Sequence, residues 1–270
     1  MSRLLVCPPD YFSVAYEINP WMRLSNRVNP ERARAQWSGL MKVLEEDVGA
    51  VLVRMKPAPG LPDMVFTANA GTVCGRRAVP SRFRHPERQR EEPYFEAWFR
   101  KQGYDVQKLD DDLYFEGAGD LLGFPDSVQG AWFGGYRQRS DIRAYVRLGE
   151  LFSREIIPLE LVDSRFYHLD TCFCPLSGGE LLYYPTAFDS YAKTVIAERV
   201  GEPFRLVVTE TEALRFACNA VCVGKHVVLP AGCPRAMTLL ETRGYQPHPV
   251  PLDEFMKAGG SAKCLTLALE

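Results

Sequence analysis

Leu113-Tyr114-Phe115-Glu116-Gly117-Ala118-Gly119-Asp120-Leu121-Leu122 is a short apolar run broken by a glycine turn, and segments of the same kind return along the chain. One precedes it at Asp63-Met64-Val65-Phe66-Thr67-Ala68-Asn69-Ala70-Gly71, and another follows at Phe166-Tyr167-His168-Leu169-Asp170-Thr171-Cys172-Phe173. Two more lie at Ala217-Cys218-Asn219-Ala220-Val221-Cys222-Val223 and Cys264-Leu265-Thr266-Leu267-Ala268-Leu269. They read as strands recurring at about 50 residues, a period of blades or arrays, so five similar units are the simplest count.

Between them, apolar residues at three- and four-residue spacing predict helices over 30–46, 94–102, 140–151, 190–200 and 234–243. Short β-rich runs accompany these, such as Gln129-Gly130-Ala131-Trp132-Phe133-Gly134-Gly135 and Lys225-His226-Val227-Val228-Leu229-Pro230. The class is therefore mixed α/β. A doubly wound sheet shares this alternation but carries a glycine-rich phosphate turn after its first strand, and Leu4-Leu5-Val6-Cys7-Pro8 is followed by none. A ring of five αβ units around a central cleft is the expectation.

With 270 residues of ordinary globular composition, one domain over 1–270 is expected. A net charge of -2 without a basic stripe argues against nucleic acid or an acidic membrane as partner. The start, Met1-Ser2-Arg3-Leu4-Leu5-Val6-Cys7, is too briefly apolar for a signal segment, and no run approaches a membrane span; a cytoplasmic location is expected. Eight cysteines in that setting read as thiols. Cys172 with Cys174, and Cys218 with Cys222, lack the second pair that a zinc site needs and read as core. His85, His168, His226 and His248 are too scattered for a helix-borne metal motif, so no metal is expected.

Cys264 by itself reads as packing. In the ring, however, the strand nearest the axis of each unit offers residues to one cavity, which brings Glu116, His168 and Cys264 together. Thiol, imidazole and carboxylate suffice for covalent catalysis if they share a site. Gly259 and Gly260 supply the turn that aims the thiol inward. Taken singly, Glu116 also reads as a cap on the Gly117-Ala118-Gly119 turn and His168 as a strand histidine.

At Glu116-Gly117-Ala118-Gly119-Asp120, His168-Leu169-Asp170-Thr171 and Gly259-Gly260-Ser261-Ala262-Lys263-Cys264 the sequence resembles the guanidine-modifying enzymes. These include arginine deiminases, dimethylarginine dimethylaminohydrolases, amidinotransferases and arginine dihydrolases. The resemblance spans nearly the whole chain and implies a five-bladed α/β propeller, the pentein fold, with pseudo-fivefold ββαβ repeats around the active-site cleft. The stretches Tyr16-Glu17-Ile18-Asn19-Pro20-Trp21-Met22 and Phe66-Thr67-Ala68-Asn69-Ala70-Gly71 are most similar to the dihydrolase branch, and Asn19 joins the substrate-binding set through that likeness.

By the same resemblance, Cys264 is the nucleophile, His168 the general acid and base, and Glu116 the carboxylate that orients His168 or holds substrate nitrogens. The intermediate is an S-alkylthiouronium, and no cofactor is called for. A guanidinium offers only donors, so it needs acceptors. Asp170, two residues beyond His168, is expected on the same strand face. Asp63 and Asp120 fall at or near the family's pocket, with Asp63 also suited to the substrate's α-amino group or to capping the turn after Pro62. Arg88 and Arg139 resemble its carboxylate clamps. The charged stretch 81–93 reads either as a lid or as a solvated loop.

The dimethylarginine hydrolases carry two adjacent acids where this chain has Ala68-Asn69. An amide tolerates both a guanidinium and a ureido oxygen, so citrulline is expected to stay and react again, giving ornithine, carbon dioxide and ammonia. A hydrolase stopping at citrulline, an amidinotransferase and, more remotely, a binding protein of the same fold are the alternatives. The partner is a small guanidine, and assembly into a homo-oligomer is compatible with the sequence. The dihydrolases of this branch carry a further C-terminal domain; with six residues after Cys264, no activity of such a domain is expected.

Overall fold

β1 (Arg3–Val6) runs parallel to β2 (Val51–Arg54) and antiparallel to β15 (Leu267–Ala268), with Leu5 opposite both Val53 and Leu267. Four further sheets repeat that pattern in this computed structural model, which describes residues 2–125 and 131–269. They are β3 (Gly71–Cys74), β4 (Arg77–Pro80) and β5 (Asp105–Val106); β6 (Leu121–Gly123), β7 (Trp132–Tyr136) and β8 (Ile156–Glu160); β9 (Phe173–Pro175), β10 (Leu181–Tyr183) and β11 (Arg205–Val207); and β12 (Val221–Val223), β13 (His226–Pro230) and β14 (Gln246–Val250). In each, the middle strand is antiparallel to the first and parallel to the third.

The parallel step demands a crossover, and a helix supplies it in every unit: Pro30–Lys42, Glu92–Lys101, Ile142–Phe152, Ser190–Arg199 and Pro234–Glu241. The repeat is ββαβ, and the fold is the five-bladed α/β propeller. One blade is closed by β15 and β1, which join residues separated by nearly the whole described sequence.

Side-chain caps start three of these helices. Asn29 accepts from Arg32 N at 3.0 Å ahead of Pro30, Asp141 accepts from Arg143 N at 2.9 Å, and Asp189 accepts from Ala192 N at 2.8 Å. Such caps contribute about 1 kcal/mol each. In the first helix Ala33, Gln36, Trp37, Leu40 and Met41 form the buried stripe, and each large apolar side chain there stabilises by roughly 1.5–3 kcal/mol. The expected helix over 30–46 stops at Lys42, where the backbone widens into a π turn over Val43–Asp47. Of the expected β run at 129–135, residues 129–130 lie outside the described residues. Among the described residues, no helix is long and apolar enough to cross a membrane.

Candidate active site

The five motif segments are not strands through their length. A 3₁₀ turn over Thr67–Ala70 precedes β3, another over Gly117–Gly119 precedes β6, and a third over Leu169–Thr171 precedes β9. Glu116 and His168 stand at the heads of two of these, and Cys264 lies in a turn ahead of β15. The expectation that the trio sits on strands is thus corrected. Gly117 (φ +69°) and Gly259 (φ +84°) hold left-handed backbone that breaks an extended run, and a Cβ on Gly259 would lie 2.7 Å from the Tyr167 hydroxyl.

The turn also separates His168 from Asp170. With about three residues per turn, positions two apart point in different directions, so these side chains do not share a face. His168 Nε2 meets Glu116 Oε2 at 2.7 Å, whereas Asp170 Oδ2 accepts from Cys264 Sγ at 3.4 Å. One short turn therefore links the carboxylate–imidazole pair to the thiol.

Glu116 is fully buried and further held by Arg139 Nη1 at 3.1 Å and Arg84 N at 3.1 Å. Asp120 accepts from Ser140 Oγ at 2.6 Å and from Leu169 N at 3.0 Å. It braces the turn that carries His168 and, like Glu116, His168 and Asp170, is not among the residues that bound the thiol cavity. Asn69 donates through Nδ2 to the Glu116 carbonyl at 3.0 Å and accepts on Oδ1 from Arg88 Nη1 at 2.9 Å.

Asn219, which no motif singled out, organises the turn that carries Cys264. Its Oδ1 accepts from Ser261 N and Cys264 N, both at 3.1 Å, while Nδ2 donates to Cys264 Sγ at 3.0 Å and to the Asp170 carbonyl at 3.1 Å. The signal in the sequence was positional: Asn219 and Asn69 each stand two residues before the first strand of their blade.

Above the thiol lies a cavity of about 10 Å³ bounded by Asn19, Asp63, Asn69, Arg88, Arg139 and Cys264. That holds one water, far below the roughly 300 Å³ of the smallest ligand pockets, so a substrate enters only when a wall moves. Ile18, Asn19 and Met22, from the long connection between β1 and the first helix, form part of that wall. Tyr16 Oη donates to Asp63 Oδ2 at 2.9 Å, Arg139 Nη2 to the Ile18 carbonyl at 2.9 Å, and Trp21 Nε1 to the Arg165 carbonyl at 2.8 Å. Asn19 borders the cavity, yet its Oδ1 is taken by Trp21 N and Met22 N and its Nδ2 by the Ala258 carbonyl.

The 81–93 stretch contains the helical turn Pro86–Gln89, with Ser81, Phe83, Arg88 and Glu91 buried and Arg84, Glu87, Gln89 and Arg90 exposed. Arg88 spends much of its fork on Glu91, at 3.0 and 2.8 Å, besides Asn69. Arg139 stacks over Tyr167 at 4.7 Å and has N–H groups left for a ligand.

The family model described as N,N dimethylarginine dimethylhydrolase, eukaryotic, matches residues 11–270. The chain belongs to this family. It is 48% identical over 267 residues to the bifunctional arginine dihydrolase/ornithine cyclodeaminase ArgZ of Synechocystis sp., covering 98% of this chain but 37% of that protein. It is 38% identical to the N(G),N(G)-dimethylarginine dimethylaminohydrolase of Mycobacterium tuberculosis, covering 99% of this chain and 85% of that one. The crystal structure of the substrate-bound N-terminal domain of ArgZ, from cyanobacteria, superposes with a TM-score of 0.95 at 47% identity, over 100% of this chain and 98% of that chain. The protein thus stands in the guanidine-modifying superfamily, beside its arginine dihydrolase branch.

Charge in this family member is arranged around burial. Burial pushes the Cys264 thiol well above its ordinary range, and Asp170 adds to that, against hydrogen bonds from Ser261 and Asn219, so the side chain rests as a thiol. Burial lifts Asp170 to about 7, opposed chiefly by Lys263, and Asp120 to about 6, opposed by His168. At Glu116 burial is outweighed by Arg139 and His168, which hold the carboxylate well below its usual value. Burial likewise raises Asp63, against the pull of Arg88, and its Oδ1 has no hydrogen-bond partner; neither does Asp170 Oδ1. Two buried acceptors stand ready for donors.

Proposed function

We propose that the protein is a cysteine-dependent hydrolase of arginine that reacts twice, giving ornithine, carbon dioxide and ammonia. The observation that carries this reading is the Asn69 amide in the wall of the Cys264 cavity, fixed by Arg88 and the Glu116 carbonyl. A neutral amide accepts from a guanidinium and donates to a ureido oxygen, where a carboxylate would repel the second. Likeness to ArgZ, of whose length this chain spans 37%, supports it.

In the first round Asp170 accepts guanidinium N–H groups, Asp63 the α-amino group, and Arg139, with the one uncommitted Nη1 N–H of Arg88, pairs with the carboxylate. Asn19 and Asp120 act by holding the wall and the turn. The cation beside Cys264 favours the thiolate, which attacks the guanidinium carbon. His168, oriented by Glu116, protonates the departing nitrogen; the C–N bond breaks and ammonia leaves. Water adds to the S-alkylthiouronium, its proton passing to His168, and C–S cleavage yields citrulline and the thiolate. In the second round the ureido carbon is attacked, ammonia leaves again, and hydrolysis frees a carbamic acid that loses carbon dioxide to give ornithine. Side chains carry every step.

The 38% identity to a dimethylarginine hydrolase favours a second reading, in which the reaction stops at citrulline. Product identification by mass decides: ornithine with two ammonia per arginine supports the first, and citrulline without ornithine the second. Added glycine or ornithine exposes transfer of the amidino group to an amine. Cys264→Ser should bind arginine without turnover; an undiminished rate sinks both hydrolase readings. We further propose that residues 1–270 act as one catalytic unit in the cytoplasm, consistent with eight free thiols, and that copies can associate.

A further inference from the structure

A second cavity, of about 890 Å³, shares no lining residue with the one above Cys264. Its wall takes residues from β3, β6, β9, β12 and β15, one strand from each blade, so it occupies the core of the ring. Consecutive residues face different spaces: Cys264 borders the small cavity and Lys263 the large one. The turn that carries them is therefore a partition, with the nucleophile on one side and a cation on the other.

The volume falls within the range of small-molecule sites. Leu4, Leu122, Trp132 and Leu267 give the wall an apolar body, and among its described lining residues there is no Asp or Glu. Lys263 makes no side-chain hydrogen bond or ion pair among the described residues; the charged and titratable groups that act on it are Asp170, Cys174 and Cys264. An ammonium so placed is left to solvent or to an anion, and burying it without either is costly.

We propose that this cavity binds an organic carboxylate with an apolar body, its carboxylate on Lys263 and its body against Leu122, Trp132 and Leu267. Occupancy reaches the active site through the partition. The Lys263 charge is the largest influence favouring the ionised form of Asp170. An anion on Lys263 cancels that field, Asp170 holds its proton more tightly, and a cationic substrate loses its acceptor. The ligand is then an inhibitor that raises KM more than it lowers kcat. This coupling rests on the proposed guanidine chemistry; the binding itself does not.

Phenylbutyrate is the probe, with its neutral amide as the control, titrated calorimetrically into the intact protein. Saturable one-to-one binding is expected, about tenfold or more tighter for the anion, since a charge-assisted bond is what separates the two. Lys263→Met should erase that preference, and Ala268→Trp, at the exposed edge of the cavity, should weaken both ligands. With arginine as substrate, saturating phenylbutyrate should raise KM severalfold in the native protein and leave it unchanged in Lys263→Met. No saturable binding, binding undiminished in Lys263→Met, or competition by arginine that grows without limit overturns the site; the reciprocal coupling lets arginine weaken phenylbutyrate only severalfold, to a plateau. Binding with KM unaltered overturns the coupling. Failure to turn over arginine at all strikes the functional reading and leaves the calorimetric result standing.

Discussion

Asn219 grips Cys264 at both ends, accepting from its backbone N–H at 3.1 Å and donating to its sulfur at 3.0 Å. The same amide thus fixes the backbone and favours negative charge on the side chain. Asn219→Ala should slow Cys264 alkylation by iodoacetamide at neutral pH and move its pH midpoint upward by about one unit, because a donor to the thiolate is lost. The expected fall in kcat is about 10–100-fold, from a hydrogen bond to a charged group. Rates are read against Cys264→Ser to subtract other thiols. An unmoved pH profile would reduce Asn219 to a structural brace.

In the proposed reaction Asp170, lifted to about 7, would set the acid side of arginine capture. Only its carboxylate binds a cation, so kcat/KM should fall about tenfold per pH unit below 7 and level off above it. Asp170→Asn should flatten that limb and lower the plateau. The stability effect has the opposite sense. A carboxyl raised on folding favours the protonated fold, so its contribution is complete below the unfolded value and is lost as pH rises through about 7. A chemical denaturation series in the native protein and Asp170→Asn, between pH 5 and 8, measures it.

Glu116→Gln leaves His168 beside a neutral partner and Arg139 without its charge mate, and kcat should drop about 100-fold. Because the folded carboxyl is held below its ordinary value, its stabilisation is present above the unfolded pKa and disappears as pH falls through the folded one. The Tm gap between native and variant protein should therefore be wide at pH 7 and shrink on acidification. A gap that stays constant would contradict the assigned charge state.

Asn69→Asp sets an oxygen against the Glu116 carbonyl where Nδ2 now donates. Two facing acceptors cost about 1–3 kcal/mol, visible as a lower denaturation midpoint. Chemically, the added charge should retain the first round and suppress the second. The ornithine-to-citrulline ratio, followed by mass, should fall at least about tenfold; an unchanged ratio would remove Asn69 from the control of product.

The five-unit count was legible because each blade announces itself with a similar turn-bounded run, and the helices because their buried stripes and caps are local. What escaped was the conformation of the runs. Phe166 to Phe173 has the composition of a strand, but buried polar groups at His168, Asp170 and Thr171 find partners only when the chain turns, as with Thr171 Oγ1 donating to the His168 carbonyl at 2.6 Å. Asp170 was consequently paired with the wrong neighbour. Asp120 was read as lying at or near the pocket, and nothing local says that Ser140 and Leu169 will each bond one of its oxygens. Asn219 was passed over because its partners lie more than 40 residues away.

The pairing of β15 with β1 has a bearing on timing as well as shape. Contacts between distant parts of a chain are costly to form early in folding. Cys264 stands three residues ahead of that closing strand, and its grip by Asn219 reaches across from the neighbouring blade. Intermediates that have built several blades but not yet shut the circle therefore lack an aligned Cys264. Catalytic competence should arrive together with ring closure, which makes turnover a reporter of that step of assembly.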